Sequence, residues 1–287
     1  MLECVVNISE GRDDALIDAL AAEAGAELLD VHRDPDHHRS VLTIAGAGPA
    51  VEASVERLAR AVVTRLDLSA HFGAHPRIGV LDVVPWVALE GWPVADSRQT
   101  LAIGARDRFV RWAADELGLP CFAYGPERTL PEVRRQAWVT LDPDAGPVRP
   151  HPSAGAAAVG ARSLLVAYNL WLVEPNLEVA RVIAASLRTP DLRTLALQVG
   201  TEVQVSCNLV RPCVVGPEAA FDAVAKQADV ARAELVGLVP RSMMAAVPRH
   251  RWAELDLDAS STIEARLEQA GLDGGSLRDE QAVAKQR

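Results

Sequence analysis

Residues 2–45 read LECVVNISEGRDDALIDALAAEAGAELLDVHRDPDHHRSVLTIA. Leu2 to Val6 is an apolar run of strand length. The period then changes. From Asp13 to Ala24 the apolar residues Leu16, Ile17 and Leu20 recur at helical spacing, and Gly25 fits a helix end. Glu27 to His32 returns to a strand. Arg33 to His38 is a polar loop with Asp34-Pro35-Asp36 as its turn signal. Ser40 to Ala45 is a short β-branched strand. Outward from this stretch, Pro49 opens a second helix that runs to about Leu66, as expected for proline in a first turn. Val80 to Val87 is a fourth strand. The order is βαββαβ, the ferredoxin-like unit.

The same order returns after residue 162. Ser163 to Leu170 is a strand, Leu177 to Leu187 a helix, and Leu192 to Val199 and Glu202 to Val210 are strands. Pro217 to Arg232 is a helix and Glu234 to Val239 a last strand. The expected fold class is α/β (α+β), with two ferredoxin-like βαββαβ subdomains side by side and a ligand groove between them. The expected divisions are residues 1–174, residues 175–272 and a disordered tail over 273–287. Between the two units lie a helix near Ser97 to Leu117 and a short strand at Cys121 to Tyr124. A Pro/Gly-rich stretch from Asp142 to Gly155 reads as a shaped loop. Gly155 to Arg162, Gly-Ala-Ala-Ala-Val-Gly-Ala-Arg, reads either as a plain loop or as a segment lining a groove. It lacks the Lys-Ser/Thr of a phosphate-binding loop.

Composition narrows the function. The net charge of −10 repels phosphate backbones and argues against nucleic acid. No apolar run reaches the roughly 20 residues needed to span a bilayer, and the N-terminus has no basic-then-apolar leader. A cytoplasmic protein is expected. Lys226 and Lys285 are the only lysines, so positive charge is almost all arginine, which suits fork-shaped recognition of carboxylates. The cysteines Cys4, Cys121, Cys207 and Cys213 form no Cys-x-x-Cys pair and read as buried structural thiols in a reducing compartment, with a nucleophilic cysteine as the lesser alternative.

The densest candidate for chemistry is His71-Phe72-Gly73-Ala74-His75-Pro76-Arg77-Ile78-Gly79. Its glycines allow close approach of the backbone to a ligand, and Pro76 fixes the turn. Imidazole is the usual general base near neutral pH. The alternative is a loop whose histidines cap backbone groups. His71 and His75 have the spacing of a zinc helix, but Gly73 and Pro76 break that helix. The cluster His32, Asp34, Asp36, His37 and His38 has ligand-type residues without a metal spacing, so no metal is expected. Asn7, Ser9, Glu10 and Gly11 follow the first strand, where Ser9 either caps the next helix or joins a ligand site. Asn169 and Asn208 stand inside apolar strand patterns and need partners, either each other or a ligand.

Taken in order, these motifs resemble the formiminotransferase domain. Glu3-Cys4-Val5-Val6-Asn7-Ile8-Ser9-Glu10-Gly11 is similar to that family's opening motif. His71 through Asp82-Val83-Val84-Pro85-Trp86 is similar to its histidine motif. Pro143 to Pro147, Ala158 to Arg162, Leu165 to Leu170, Gln204 to Leu209 and Glu234 to Pro240 complete the pattern. The resemblance implies tetrahydrofolate as co-substrate, a formiminoglutamate-like donor, no metal and a homodimer. It implies His75 as the catalytic base, taking a proton from the attacking nitrogen and returning one to the leaving nitrogen. It also implies binding roles for Asn7, Glu10, Arg39, Arg77, Gly79, Asp82, Gly160, Arg162, Asn169 and Asn208, with Arg77 and Arg162 holding carboxylates. The chain departs from the family at four places. The segment after Thr129 to Arg134 is shorter, His38 replaces Asn, His32 replaces an acid, and Ala74 replaces Glu. No stretch resembles a cyclodeaminase, so the chain is not expected to consume its own product. Two other readings stay open: a folate-binding protein without turnover, and a divergent transferase with another donor or acceptor.

Overall fold

The computed structural model describes residues 1–73, 75–89 and 99–272. The expected tail over 273–287 lies outside the described residues, as does the first turn of the helix expected from Ser97. The first unit runs β1 (Leu2–Ile8), α1 (Asp14–Ala24), β2 (Leu28–Asp34), β3 (Arg39–Gly46), α2 (Gly48–Arg65) and β4 (Leu81–Ala88). It is followed by α3 (Gln99–Leu117), β5 (Cys121–Tyr124), α4 (Leu130–Gln136) and β6 (Ala157–Ala161). The second unit runs β7 (Val166–Leu172), α5 (Leu177–Leu187), β8 (Leu192–Val199), β9 (Glu202–Leu209), α6 (Pro217–Ala225) and β10 (Val230–Val236). Two short helices close it, α7 (Arg241–Ala245) and α8 (Ile263–Gln269).

The doubled order holds in space. The first sheet is β2-β3-β1-β4-β6-β5 and the second is β10-β7-β9-β8. Within each βαββαβ unit the strands take the same ferredoxin-like order, and all pairs inside the units are antiparallel. A division at residue 174 would leave β7 with the first sheet. Its hydrogen bonds run instead to β9 and β10, so the second sheet begins at Val166.

The connecting region departs most from the sequence reading. Residues 157–161 form a strand, not a loop, and every residue of it is buried. β6 lies between β4 and β5 and is parallel to both. A central parallel strand carries a continuous apolar run with no alternation to announce it, and alanine and glycine have low strand propensity. The small side chains have a packing reason. A Cβ on Gly160 would sit 2.0 Å from Tyr124 Cζ, so the tyrosine ring lies directly on that glycine. The second departure is at Pro217 to Arg232, expected as one helix. The helix stops at Ala225, and residues 230–236 pair with β7. Helix-favouring residues there yield to the hydrogen bonds of an open sheet edge.

The helices α1, α2 and α3 cover one face of the first sheet. Leu20, Ile44, Leu58, Trp86 and Phe109 lie in that core. Leu29, Ala45 and Val87 of the first sheet instead join the core of the second unit, alongside Val166, Val239 and Met244. The two sheets are thus joined by apolar packing at one part of their junction. A cavity of about 260 Å³ lies at another part, walled by β2 (Asp30, Val31, His32), Leu235 and Gly237. His75 and Arg77 are not among its walls.

Gly160→Ala should destabilise the protein by about 1–3 kcal/mol, the usual cost of overpacking. Tyr124→Ala in the same chain should recover part of that loss, since it removes the obstructing ring. Urea unfolding of the single and double variants measures the coupling.

Candidate active site

The site is assembled around one irregularity in β4. Asn7 pairs with Val83 and Ile8 with Leu81, so Asp82 is the extra residue of a β-bulge. A bulge re-aims the side chain at its centre. Asp82 is fully buried, and donors from three directions meet it. Arg39 of β3 donates from Nη1 to Oδ2 at 2.6 Å. Arg134 of α4 donates from Nη2 to the same oxygen at 2.7 Å. The Ile78 amide donates to Oδ1 at 2.8 Å. Burial alone would raise the Asp82 carboxyl, but the two guanidiniums outweigh it and hold it at about 2. Arg39 also donates from Nε and Nη2 to Asn7 Oδ1, at 3.0 and 2.8 Å. Asn7, Arg39 and Asp82 are therefore brought together.

His75 stands in the field of this group. Its Nδ1 lies 2.7 Å from the Pro76 carbonyl, which can only accept, so the proton sits on Nδ1. Nε2 has no partner among the described residues. Burial first, then Arg39 and Arg134, push the imidazole down to about 3, with Asp82 acting the other way. The ring is neutral and presents a lone pair.

Arg77 is occupied by its own chain. It donates to the carbonyls of His37, His38 and His75 at 2.8–3.1 Å, and its Nη1 is 2.5 Å from His71 Nε2. It ties the β2–β3 loop to the histidine loop instead of offering an open fork. His71 stacks on His38 with ring centroids 3.9 Å apart, and burial lowers it to about 4. Glu10 Oε1 accepts the amides of Gly11, Arg12 and Asp13 and faces His38 Nε2 at 3.1 Å. Ser9 does not cap α1. It donates to the Gly79 carbonyl at 2.9 Å, and Asp13 is the cap.

The two glycines of the expected site serve the fold. A Cβ on Gly79 would meet the Ala156 carbonyl at 2.0 Å, so Gly79 lets two backbones touch. Arg162 donates to Ser163 O at 3.0 Å and acts on the buried Tyr124 phenol. Asn169 donates to Glu234 Oε2 at 3.1 Å, and Glu234 Oε1 lies 3.3 Å from His32 Nε2 across the sheet junction. Asn208 is solvent-exposed and no hydrogen bond joins it to Asn169. Of the two partners the strand pattern allows, each other or a ligand, register excludes the first: Asn208 stands opposite Ala167, whereas Asn169 stands opposite Ser206.

Three residues were not among the expected site. Arg134 is positioned by α4, whose capping box Thr129-x-x-Glu132 is legible in the sequence. His37, weighed only as part of a metal cluster, is bonded to Asp34 through Nδ1, and its ring meets that of His75 edge-on at 6.1 Å. Glu3, buried between Ala45 and Val87, has its carboxyl pushed up to about 7 by burial, against the pull of Arg162. Cys121 and Cys207 are pushed up to about 12 by burial, which makes them poor nucleophiles.

The profile of the formiminotransferase domain, N-terminal subdomain, matches residues 1–162. The chain belongs to the formiminotransferase family. It is a transferase-class enzyme by that membership. It is 29% identical to glutamate formimidoyltransferase of Thermoplasma acidophilum over 94% of this chain and 98% of that one. It is 34% identical to glutamate formimidoyltransferase of Streptococcus pyogenes serotype M1, over 66% and 68% of the two chains. It is also 33% identical to formimidoyltransferase-cyclodeaminase of Sus scrofa over 84% of its length, where it spans 50% of the relative. The matched profile contains the whole Asn7–Arg39–His75–Asp82–Arg134 group. Among the described residues no helix is long and apolar enough to cross a membrane.

Asp82→Asn should cost about 3–5 kcal/mol, because it leaves two buried guanidiniums without their counter-charge. The sign with pH follows from the depressed carboxyl. The stabilisation Asp82 supplies is present above its unfolded value near 3.8 and is lost as pH falls through about 2. Urea unfolding of the two proteins at pH 7 and at pH 3 measures both effects.

Proposed function

We propose that the chain moves a formimino group from N-formiminoglutamate to nitrogen 5 of tetrahydrofolate, with His75 as the base. The observation that carries this reading is the neutral His75, its Nδ1 fixed on Pro76 and its Nε2 without a partner among the described residues, in the field of Arg39 and Arg134. The amidine carbon is electrophilic when the donor is protonated. Nitrogen 5 attacks it, and a tetrahedral intermediate forms. His75 Nε2 takes the proton that the new N–C bond makes acidic, then returns it to the departing glutamate nitrogen. One site handles both transfers in turn, and no metal is needed.

The electrostatics support a base that gains strength on binding. In the free protein, Arg39 and Arg134 oppose protonation of His75. A donor carboxylate docked near these arginines offsets their field, so the basicity of His75 rises when the substrate is present. Arg39 and Arg134 carry one positive charge more than Asp82 neutralises, and this excess draws the donor carboxylate, whereas Arg77, which the resemblance implied for that role, spends its N–H groups on backbone carbonyls. We infer by the same resemblance that the protein is a cytoplasmic homodimer. Light scattering at the monomer mass would overturn the dimer.

His75→Ala should lower turnover by roughly 10²–10⁴-fold, the usual worth of general-base catalysis, with folate binding largely kept. The pH profiles of the wild-type protein should also separate. With His75 at about 3, the free enzyme keeps its base down to low pH, so kcat/KM should show no acid limb near 6.5 from this residue. The kcat profile reports the complex and should turn down at a higher pH. Full turnover by His75→Ala, or acid limbs that coincide, would count against the mechanism.

A further inference from the structure

Gln204 of β9 is 1% exposed, and its Oε1 has no hydrogen-bond partner among the described residues. A buried acceptor without a donor is costly, and it marks a place where something else supplies one. The other end of the amide shows which atom is left over. Gln204 Nε2 lies 3.2 Å from His37 Nε2, across the junction between the two sheets. His37 Nδ1 is bonded to Asp34 Oδ2. Asp34 also accepts the amides of Asp36 and His37 at Oδ1, at 3.0 and 2.7 Å.

The directions of the bonds in this chain follow from its two ends. An ionised carboxylate can only accept, and these bonds keep the Asp34 carboxyl below its ordinary range even though burial acts against them. His37 Nδ1 therefore donates to Asp34. At the other end the Gln204 NH₂ group, which can only donate, faces His37 Nε2, so Nε2 accepts. The carbonyl oxygen is left as the orphan, and it belongs to a cluster whose next ring is His75, 6.1 Å from His37.

We propose that Gln204 Oε1 accepts an N–H from the amidine of the formimino donor, and that Asp34 and His37 act as positioning residues that fix the amide in this orientation. The inference rests on the transfer reading above and deepens it by naming a residue that selects the donor. A formimino group ends in nitrogen and donates. A formyl group ends in a carbonyl oxygen, which facing Oε1 would leave both acceptors unpaired. A site built to hydrogen-bond an N–H discriminates strongly against an analogue that lacks it. The arrangement therefore selects formimino over formyl donors.

The test compares formiminoglutamate with N-formylglutamate as donors to tetrahydrofolate, using wild type, Gln204→Met and Asp34→Asn. Gln204→Met keeps the volume and removes the acceptor. The ratio of kcat/KM for formimino over formyl should fall by at least about tenfold, one hydrogen bond to a charged partner being worth that much. Asp34→Asn can donate to His37 Nδ1, which moves the proton to Nε2 and turns the Gln204 carbonyl towards it. The NH₂ group then faces the donor, and the ratio should fall again without any change at Gln204 itself. A merely structural role would slow both donors alike. A wild-type ratio in both variants overturns the proposal, as does a loss shared equally by the two donors. If wild type transfers neither group, the transfer reading fails by itself. Calorimetry with formiminoglutamate then decides the present point. Weaker binding to Gln204→Met than to wild type supports it, while equal binding, or no binding to either, overturns it.

Discussion

The buried carboxylate of Asp82 holds together elements that the chain brings from far apart. Arg39 comes from β3, Arg134 from α4 and the Ile78 amide from the loop that carries His75. A charge at zero exposure is tolerated only when paired and hydrogen-bonded, and here two cations and an amide saturate it. The bulge that points Asp82 at these partners interrupts the β1–β4 ladder at the same place. The local irregularity, the counter-charges and the position of the histidine loop are one arrangement. Burial first, and then the excess positive charge left around Asp82, lowers the proton affinity of His75.

The two βαββαβ units share strand order and differ in use. The first contributes the charged group and the histidines. The second contributes Gln204, Asn169 and Glu234 from the face of its sheet that its helices do not cover. Polar contacts join the units at His32–Glu234 and His37–Gln204, next to the apolar packing of Ala45 and Val87 on the second core. The apolar part holds the sheets in register. The polar part leaves buried groups with unused hydrogen-bonding capacity, which fits a ligand-binding junction better than a purely structural one.

Much of the molecule is legible in the chain alone. The change from strand to helix period between Leu2 and Ala45, and its return after residue 162, determine the doubled topology, because each period leaves only one face to bury. His75-Pro76-Arg77 and the motifs around Asn7 and Asp82 mark the neighbourhood of the site. The segment 157–161 was not legible as a strand, because a fully buried parallel strand of small residues carries no alternation. Residues 230–236 have helical preference and form an edge strand, because β7 leaves an open ladder beside them.

What the tertiary structure alone decided is which polar atoms remain available. The resemblance presents Arg77 and Arg162 as the carboxylate forks, yet the carbonyls of His37, His38 and His75 occupy the first, and the second donates to Ser163 O. Sequence places His37 in a cluster of ligand-type residues, and folding makes it the link between Asp34 and Gln204. Gly79 and Gly160 read as room for a ligand, and the folded chain fills that room with Ala156 and Tyr124. The physical reason is the same in each case. Residue type fixes what a side chain can donate, accept or exclude, but a hydrogen bond is short and directional, so its partner is chosen by contacts between residues dozens to more than a hundred positions apart.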